Sequence, residues 1–304
     1  MKNWILLLLC SYLLPIYSNG QMVTVSEDLS IRNDRAYDLI GRMKDRILLY
    51  REKSSNKVVI QAYDDRLRLS WDKELDFDHK KAEVIAMVPD RDQFSLIYKY
   101  KKKGTFYLKI HKYDPGANLV DSTTIISFRH RFLTPNYQAI YSQDKSKILL
   151  FNIEKQTNVT AMAFDTKSMG VIWSSNFTLQ DPSFYNNHME VIISNQGGMY
   201  FIIAQNNRKA KRADHFYEIF HCRGGLSEIQ RLSVPMEGKL SFDMVFEFDN
   251  LNRKLVAGGL YSEKSLSKAN GYFTLSIPLN APQDYLLKFQ SFDDAFISDL
   301  EGKK

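Results

Sequence analysis

A short apolar segment recurs along this chain at nearly constant spacing. Its five copies are Ile47-Leu-Leu-Tyr50, Ser95-Leu-Ile-Tyr98, Ile148-Leu-Leu-Phe151, Phe201-Ile-Ile-Ala204 and Leu255-Val-Ala-Gly258. Their last residues are 48, 53, 53 and 54 positions apart. A fixed period of this length indicates one supersecondary unit used several times, so the fold has to be read as a repeat.

A polar turn precedes each copy, and another apolar run precedes each turn. The turns are Lys44-Asp45, Asp90-Arg-Asp92, Gln143-Asp-Lys-Ser146, Asn195-Gln-Gly-Gly198 and Asp249-Asn-Leu-Asn252. Asp, Asn and Gly tolerate the backbone of tight hairpin turns, so each unit is predicted to contain four antiparallel strands. The predicted strands span 38–42, 46–51, 57–63, 67–71; 83–88, 93–100, 105–113, 119–126; 137–142, 147–153, 158–164, 169–174; 188–194, 199–205, 214–222, 227–233; and 240–247, 253–261, 270–277, 285–290.

Four-stranded units of about 50 residues are typical of β-propeller blades. The second strands are apolar at consecutive positions, which predicts that both faces are covered by neighbouring blades. We therefore expect an all-β, β-propeller-like fold with about five four-stranded blades, as a closed or an incomplete ring. Met22-Val-Thr-Val25 is a candidate strand for closing such a ring.

The N-terminus has the pattern of a secretion signal. Lys2 precedes an apolar core, and Ser18-Asn19-Gly20 supplies small residues ahead of a cleavage site at Gln21. We expect a signal peptide at 1–20, the propeller-like domain at 21–290 and a short C-terminal helix or tail at 291–304. A lipid anchor on Cys10 and an uncleaved membrane anchor are the alternatives; no transmembrane helix is expected after signal cleavage.

Removing the signal would leave Cys222 as the one remaining cysteine, so no intrachain disulfide is expected. An exported protein without disulfides suits a bacterial periplasm or cell surface, or secretion from such a cell. The 41 basic and 35 acidic residues give a formal charge of +6 that is dispersed along the chain. Dispersed charge favours solubility, and nucleic acid is not expected as a partner of an exported protein.

Few residues stand out as candidates for chemistry. His215, His221 and Cys222 share one predicted strand, but zinc needs three or four convergent ligands, so we read them as structural. Four aspartates form an acidic cluster that suits either turns or calcium: Asp76, Asp78, Asp90 and Asp92. Glycosidases use a pair of carboxylates, and Glu74 or Asp76 together with another carboxylate remains a candidate for such a pair. We assign no catalytic, cofactor-binding or metal residue and expect no cofactor.

Two basic runs occupy equivalent loops between second and third strands. One contains Arg208, Lys209, Lys211 and Arg212, and the other is Lys101-Lys102-Lys103. Solvated hairpin tips explain such runs, but loops on one face of a propeller also bind partners. These seven residues are therefore the candidate partner-binding positions, for an unknown protein or an acidic glycan or envelope component.

One segment resembles a known repeat. Ala163-Phe-Asp165-Thr-Lys-Ser-Met-Gly170-Val-Ile-Trp173 is similar to the Ala-x-Asp-x-x-x-Gly-x-x-x-Trp repeat of quinoprotein-like (PQQ-like) propellers, with one extra residue between Asp and Gly. Ala62-Tyr-Asp64 with Trp71 is a more degenerate copy. The match covers two of five units, so what it implies is the fold and not the cofactor.

The whole chain resembles uncharacterised secreted β-propeller proteins of Bacteroidota. The resemblance lies in the signal ending at Gln21, the blade pattern, and Leu255-Val-Ala-Gly-Gly-Leu-Tyr261 followed by Gly271-Tyr-Phe273. Chains of that family often continue further, which implies that these 304 residues are the front portion of a longer protein. The expected function is an exported scaffold that binds a protein or envelope partner without catalysis. A carbohydrate-active or quinone-dependent enzyme is the alternative.

Overall fold

The computed structural model describes residues 23–26, 34–53, 57–129, 135–179, 189–222, 228–264, 268–293, 295 and 298. The chain divides into two compact units, residues 1–74 and residues 75–304. The described residues contain five four-stranded antiparallel sheets, numbered I to V along the chain, and each sheet holds its strands in sequence order. Sheet I belongs to the first unit and sheets II to V to the second.

The strand bounds are as follows. Sheet I contains β1 (Asp34–Met43), β2 (Arg46–Lys53), β3 (Val58–Tyr63) and β4 (Leu69–Leu75); sheet II contains β5 (Glu83–Pro89), β6 (Phe94–Lys102), β7 (Thr105–Tyr113) and β8 (Leu119–Arg129). Sheet III contains β9 (Gln138–Tyr141), β10 (Lys147–Glu154), β11 (Asn158–Asp165) and β12 (Gly170–Thr178). Sheet IV contains β13 (Met189–Ile193), β14 (Met199–Gln205), β15 (Phe216–Cys222) and β16 (Ile229–Pro235), and sheet V contains β17 (Leu240–Asp249), β18 (Lys254–Ser262), β19 (Gly271–Pro278) and β20 (Leu286–Ser291).

The predicted all-β fold with five four-stranded units is confirmed. The largest differences are the earlier start of β1 at Asp34, the later ends of the fourth strands, and a 3₁₀ helix at Lys209–Asp214 in the β14–β15 loop. The second strands are the most buried: every residue of β14 is buried, because both of its faces are covered. The fourth strands, such as β8 and β20, are mostly exposed edges.

Successive sheets of the second unit pack face to face. Three clusters of buried side chains join sheet II to sheet III, sheet III to sheet IV and sheet IV to sheet V. The first strands β5, β9, β13 and β17 contact one another in that order, so the four sheets radiate from their first strands. This radial packing of antiparallel sheets makes the fold propeller-like.

A tyrosine reinforces the contact between two of these first strands. The hydroxyl of Tyr141 on β9 donates to the carbonyl oxygen of Met87 on β5 at 2.7 Å and accepts from the N–H of Met87 at 2.8 Å. One side chain thus satisfies both main-chain polar groups of Met87, a residue on the edge strand of sheet II. The position of β9 relative to β5 is thereby fixed by directional bonds as well as by packing.

Several predictions concern residues outside the described part of the chain. The signal peptide at 1–20, Cys10, Gln21 and most of the tail at 291–304 lie there. Residues 23–26 are described and form no strand, so the predicted ring-closing strand from Met22 to Val25 is not present in its described part. Among the described residues, no helix has the length and apolar character needed to cross a membrane.

Candidate functional site

The β14–β15 loop carries the longer basic run on a short 3₁₀ helix. Arg208, Lys209 and Lys211 are exposed and Arg212 is partly exposed. Within the described residues, none of these four cations has a carboxylate oxygen within 4.0 Å, in contrast to Arg231 on β16, which pairs with Glu218. The loop therefore presents four cations that form no ion pair with the described residues.

The base of this basic loop is fixed to sheet V through Ser241 on β17. The side-chain amide of Asn207 donates to the carbonyl oxygen of Ser241 at 2.6 Å and accepts from its N–H at 3.1 Å. The Ser241 hydroxyl lies 2.8 Å from His215 Nε2 and accepts from the Tyr217 hydroxyl at 2.6 Å. The three polar groups of Ser241 thus hold both ends of the loop, and we call this set the Ser241 clamp.

The clamp defines the protonation state of His215, which is 1% exposed. His215 Nδ1 lies 2.6 Å from the carbonyl oxygen of Gln205, which can only accept, so Nδ1 carries the proton. Nε2 then accepts from the Ser241 hydroxyl. Burial lowers the pKa of His215 below its ordinary value, and the bond to Gln205 offsets part of that effect. The neutral ring is the form that fits the clamp.

Basic residues from two sheets converge beside the loop. An open concavity of about 350 Å³ is lined by Arg212 of the loop, by Glu237, Gly238 and Lys239 of the β16–β17 turn, and by Glu263 and Lys264 after β18. Lys239 Nζ lies 4.3 Å from the centroid of the Phe289 ring, a cation–π distance. Lys239 also pairs with Glu237 at 3.8 Å. Three cations and two carboxylates thus line the concavity, which brings residues of both signs beside Arg212.

The second predicted basic run lies on the β6–β7 hairpin of sheet II. Lys103 and Gly104 both have positive φ, 48° and 76°, as a two-residue type I′ hairpin requires. Lys102 and Lys103 are exposed and Lys101 is partly exposed. Sheet III lies between sheet II, which carries this hairpin, and sheet IV, which carries the β14–β15 loop. The basic neighbours of Arg212 are Lys239 and Lys264 instead.

His221 and Cys222 of β15 face opposite sides of sheet IV. His221 is 4% exposed and its ring stacks on Tyr200, with centroids 4.6 Å apart. Cys222 is fully buried in the core between sheets III and IV, and burial raises the pKa of its thiol to about 12. Among the described residues, no three His, Cys, Asp or Glu side chains are grouped so that they could hold a metal ion.

Two aspartates of the predicted acidic cluster have different roles. Asp78 pairs with Lys109 and lies 3.9 Å from His111 Nε2, which in turn contacts the Tyr98 hydroxyl at 2.7 Å. Asp90 accepts from the N–H of Arg91 in the β5–β6 turn, as a turn aspartate does. The structure therefore places Asp78 in a polar network on sheet II and Asp90 in a turn.

A repeated buried polar residue escaped the sequence analysis. The residue directly after each apolar tetrapeptide is polar and buried in four of the five copies: Arg51, Lys99, Asn152 and Gln205. Lys99, for example, pairs with Glu83 at 3.2 Å and donates to Asn136 at 3.1 Å. Aligning the five copies on their last residue would have revealed this position, because it follows the repeat immediately.

The chain was compared with known proteins. No protein-family model matches it, and no curated protein does. Solved structures that resemble it include the WD40 domain of SCAP from fission yeast, with TM-score 0.43, 10% identity, and coverage of 87% of this chain and 63% of that one. Prolyl oligopeptidase B from Galerina marginata matches with TM-score 0.43 and 10% identity, over 86% of this chain and 38% of that one. The β-propeller domain of the Trilobed protease from Pyrococcus furiosus matches with TM-score 0.38 and 14% identity, over 82% of this chain and 67% of that one.

The chain spans less than two thirds of the length of the first of these structures. At sequence identities of 10–14%, the similarity to these structures concerns the fold and gives no information about activity. The sheets and cores described above identify this chain as a β-propeller-like protein.

Proposed function

We propose that the protein is an exported β-propeller scaffold that binds an acidic protein, glycan or envelope component through the basic β14–β15 loop. The observation that carries this proposal is the combination of four cations that form no ion pair with the described residues and a clamped loop base. Three of the cations are exposed to solvent: Arg208, Lys209 and Lys211. The side chains of Asn207 and His215, in contrast, form hydrogen bonds with Ser241.

A fixed loop favours binding because less conformational entropy is lost when a partner immobilises it. Surface cations without carboxylate neighbours attract an acidic partner at distances up to about 10 Å at moderate salt and raise its association rate. The concavity next to Arg212 adds Lys264, while Lys239 there is paired with Glu237 and Glu263 lines the same concavity. The binding surface is therefore centred on the loop itself. This arrangement supports recognition of negative charge and involves no reaction.

Export is part of the same proposal. The signal pattern at residues 1–20 and the resemblance to secreted Bacteroidota propellers support a periplasmic or cell-surface location. N-terminal sequencing of the protein from a periplasmic fraction should find Gln21 as the first residue. A cytoplasmic protein that retains Met1 would contradict this part of the proposal and leave the binding surface untouched.

The binding surface is tested by charge reversal with a control of equal charge. The test variant changes Arg208, Lys209, Lys211 and Arg212 to Glu. The control changes four cations to Glu in the first–second and third–fourth strand turns at the other end of the sheets: Arg91, Lys145, Lys167 and Arg253. Both variants lose the same net charge, so a difference between them reports the location of the charge and not its sum.

The measurement is the salt concentration that elutes each protein from a heparin matrix, which is a sulfated polysaccharide, together with the melting temperature. We expect the test variant to elute at clearly lower salt than the control, and both to melt within a few degrees of the unmodified protein. Equal elution of the two variants would remove the basic loop as the binding surface.

A further inference from the structure

Sheet V packs against sheet IV with one of its two faces. Phe246 on β17, Ala257 on β18 and Leu275 on β19 belong to the core between the two sheets. Successive side chains of a strand point to opposite faces, so the residues that alternate with these three lie on the other face of sheet V. We call that second surface the far face.

Strand pairing arranges the far face in three rows of side chains. The first row is Glu247, Val256, Ser276 and Leu286, the second is Val245, Gly258, Thr274 and Lys288, and the third is Leu260, Tyr272 and Gln290. Three large apolar side chains in these rows are exposed: Val245 by 65%, Tyr272 by 45% and Leu286 by 53%. Exposed apolar residues that are grouped on one surface mark an interaction site.

The charges in these rows lie at the two opposite edges of the far face. Glu247 is on the first strand, β17, and Lys288 is on the last strand, β20. The residues that the middle strands β18 and β19 contribute to the three rows are all uncharged. Next to the first row, Asp249 and Lys254 are cross-strand partners, so their charges offset each other.

Glu247 and Lys288 do not pair within one copy of the chain. Three strand spacings of about 4.8 Å put their backbones roughly 14 Å apart. Both residues are exposed, and within the described part of the chain neither has an oppositely charged atom within 4.0 Å. Each charge is therefore open to a partner outside its own sheet.

We propose that the far face of sheet V binds the far face of a second copy of the chain, with β17 of each copy across β20 of the other. This twofold arrangement lays the two uncharged middles against each other and brings each Glu247 close to the partner's Lys288. A twofold contact requires a surface that is complementary to itself. Opposite charges at opposite edges meet that requirement.

A second sheet fits the far face better than a peptide or a small molecule does. A peptide that adds to a sheet as a further strand needs free backbone groups, whereas this surface presents side chains. A small ligand needs a concave site, and the face of a sheet is broad and open. Sheets pack face to face about 10 Å apart, as sheets II to V already do within one chain.

The expected dimer is weak. Three rows across four strands outline roughly 20 × 20 Å, which is about half of the 800 Å² or so that each partner buries in a stable complex. We therefore expect a dissociation constant of roughly 10–100 µM. The basic loop takes no part in this contact, so the inference does not rest on the function proposed above.

Sedimentation velocity of the purified protein over about 5–500 µM brackets this dissociation constant and tests the proposal. The unmodified protein should shift from monomer to dimer. Tyr272→Lys puts a cation into the uncharged middle and should weaken the dimer roughly tenfold or more, because the contact would bury an unpaired charge. Tyr37→Lys is the control, since Tyr37 is 62% exposed on β1 of sheet I, and it should dimerise like the unmodified protein.

The orientation of the two copies is tested by exchanging charges. Glu247→Lys and Lys288→Glu should each weaken the dimer roughly tenfold, because like charges would then face each other at both edges. An equimolar mixture of these two variants should dimerise again, since every facing pair in the mixed dimer has opposite charges. Recovery in the mixture also shows that both variants are folded.

Three results would overturn the proposal. The first is an unmodified protein that stays monomeric at every concentration, because the occupant of the far face would then be a different molecule. The second is a Tyr272→Lys protein, folded by circular dichroism, that dimerises as tightly as the Tyr37→Lys protein. The third is a mixture of Glu247→Lys and Lys288→Glu proteins that dimerises no better than either variant alone.

Discussion

The indole Nε1 of Trp173 donates a hydrogen bond of 2.6 Å to the carbonyl oxygen of Gly197. Trp173 lies on β12, the last strand of sheet III, and Gly197 lies in the β13–β14 turn of sheet IV. Both residues are buried. The bond therefore connects the outer edge of one sheet to a turn of the next, in which Gly197 has a φ of +82°.

Replacing Trp173 with Phe should lower the free energy of unfolding by about 1–3 kcal/mol, because the buried carbonyl of Gly197 loses its donor. Chemical denaturation followed by far-ultraviolet circular dichroism measures the change. Trp71→Phe is the control, since Trp71 is only partly buried. Equal losses in the two variants would mean that ring volume matters and the hydrogen bond does not.

Gly271 at the start of β19 leaves no space for a side chain. A Cβ atom there would overlap the carbonyl oxygen of Gln290 on β20 and come within 2.7 Å of Cε1 of Tyr261. Gly271→Ala should therefore lower the free energy of unfolding by about 1–3 kcal/mol or more. Gly258→Ala is the matched control, since its Cβ would meet only the carbonyl oxygen of Phe273 at 3.8 Å.

The control should change the free energy of unfolding by less than about 1 kcal/mol. Both variants are compared in the same urea titration. A Gly271→Ala protein as stable as Gly258→Ala would show that β20 moves away from β19 at no cost, and that the packing of this edge strand is loose.

Stability should fall as the pH drops below about 6.5, the ordinary pKa of histidine. Burial lowers the pKa of His215 in the folded protein, so the unfolded chain takes up a proton first as the pH falls. The unfolded state then binds more protons than the folded state, and the free energy of unfolding decreases with falling pH. His111, whose pKa is also lowered by burial, contributes in the same direction.

The part that belongs to His215 is isolated with His215→Gln. Its free energy of unfolding, measured by urea titration between pH 7.5 and pH 5, should depend less on pH than that of the unmodified protein. Parallel curves for the two proteins would show that the clamp accepts the protonated ring without loss.

The thiol of Cys222 should resist modification in the folded protein. It is fully buried, and burial raises its pKa to about 12, so the reactive thiolate is nearly absent at neutral pH. In a Cys10→Ser protein, a disulfide reagent such as dithionitrobenzoate should react only when urea unfolds the chain. Rapid reaction in buffer alone would reveal opening of the core between sheets III and IV.

The strands were predictable because their signals are local. The apolar tetrapeptide ending at Phe151 and the turn before it lie within ten residues of each other, and hairpin pairing follows from that proximity. The 3₁₀ helix at Lys209–Asp214 was missed because its residues show no apolar period, and its conformation depends on how Asn207 and His215 bind Ser241.

The candidate site was predictable only in part. A run of cations at 208–212 is visible in the sequence, but Ser241 is 34 positions away from Asn207 along the chain. Lys239 and Lys264 lie beside Arg212 because sheets IV and V pack together, which charge patterns do not show. The same reason hides the stacking of Phe248 on β17 against Tyr200 on β14.

The Ser241 clamp makes the outer loop of one sheet dependent on the innermost strand of the next. Ser241 lies on β17, and its backbone and hydroxyl hold Asn207 and His215 at the two ends of the basic segment. A displacement of β17 would therefore also move the basic loop. Extra residues inserted between Asn207 and His215 would leave both anchors in place. The position of the β14–β15 loop of sheet IV is thus set by strand β17 of sheet V.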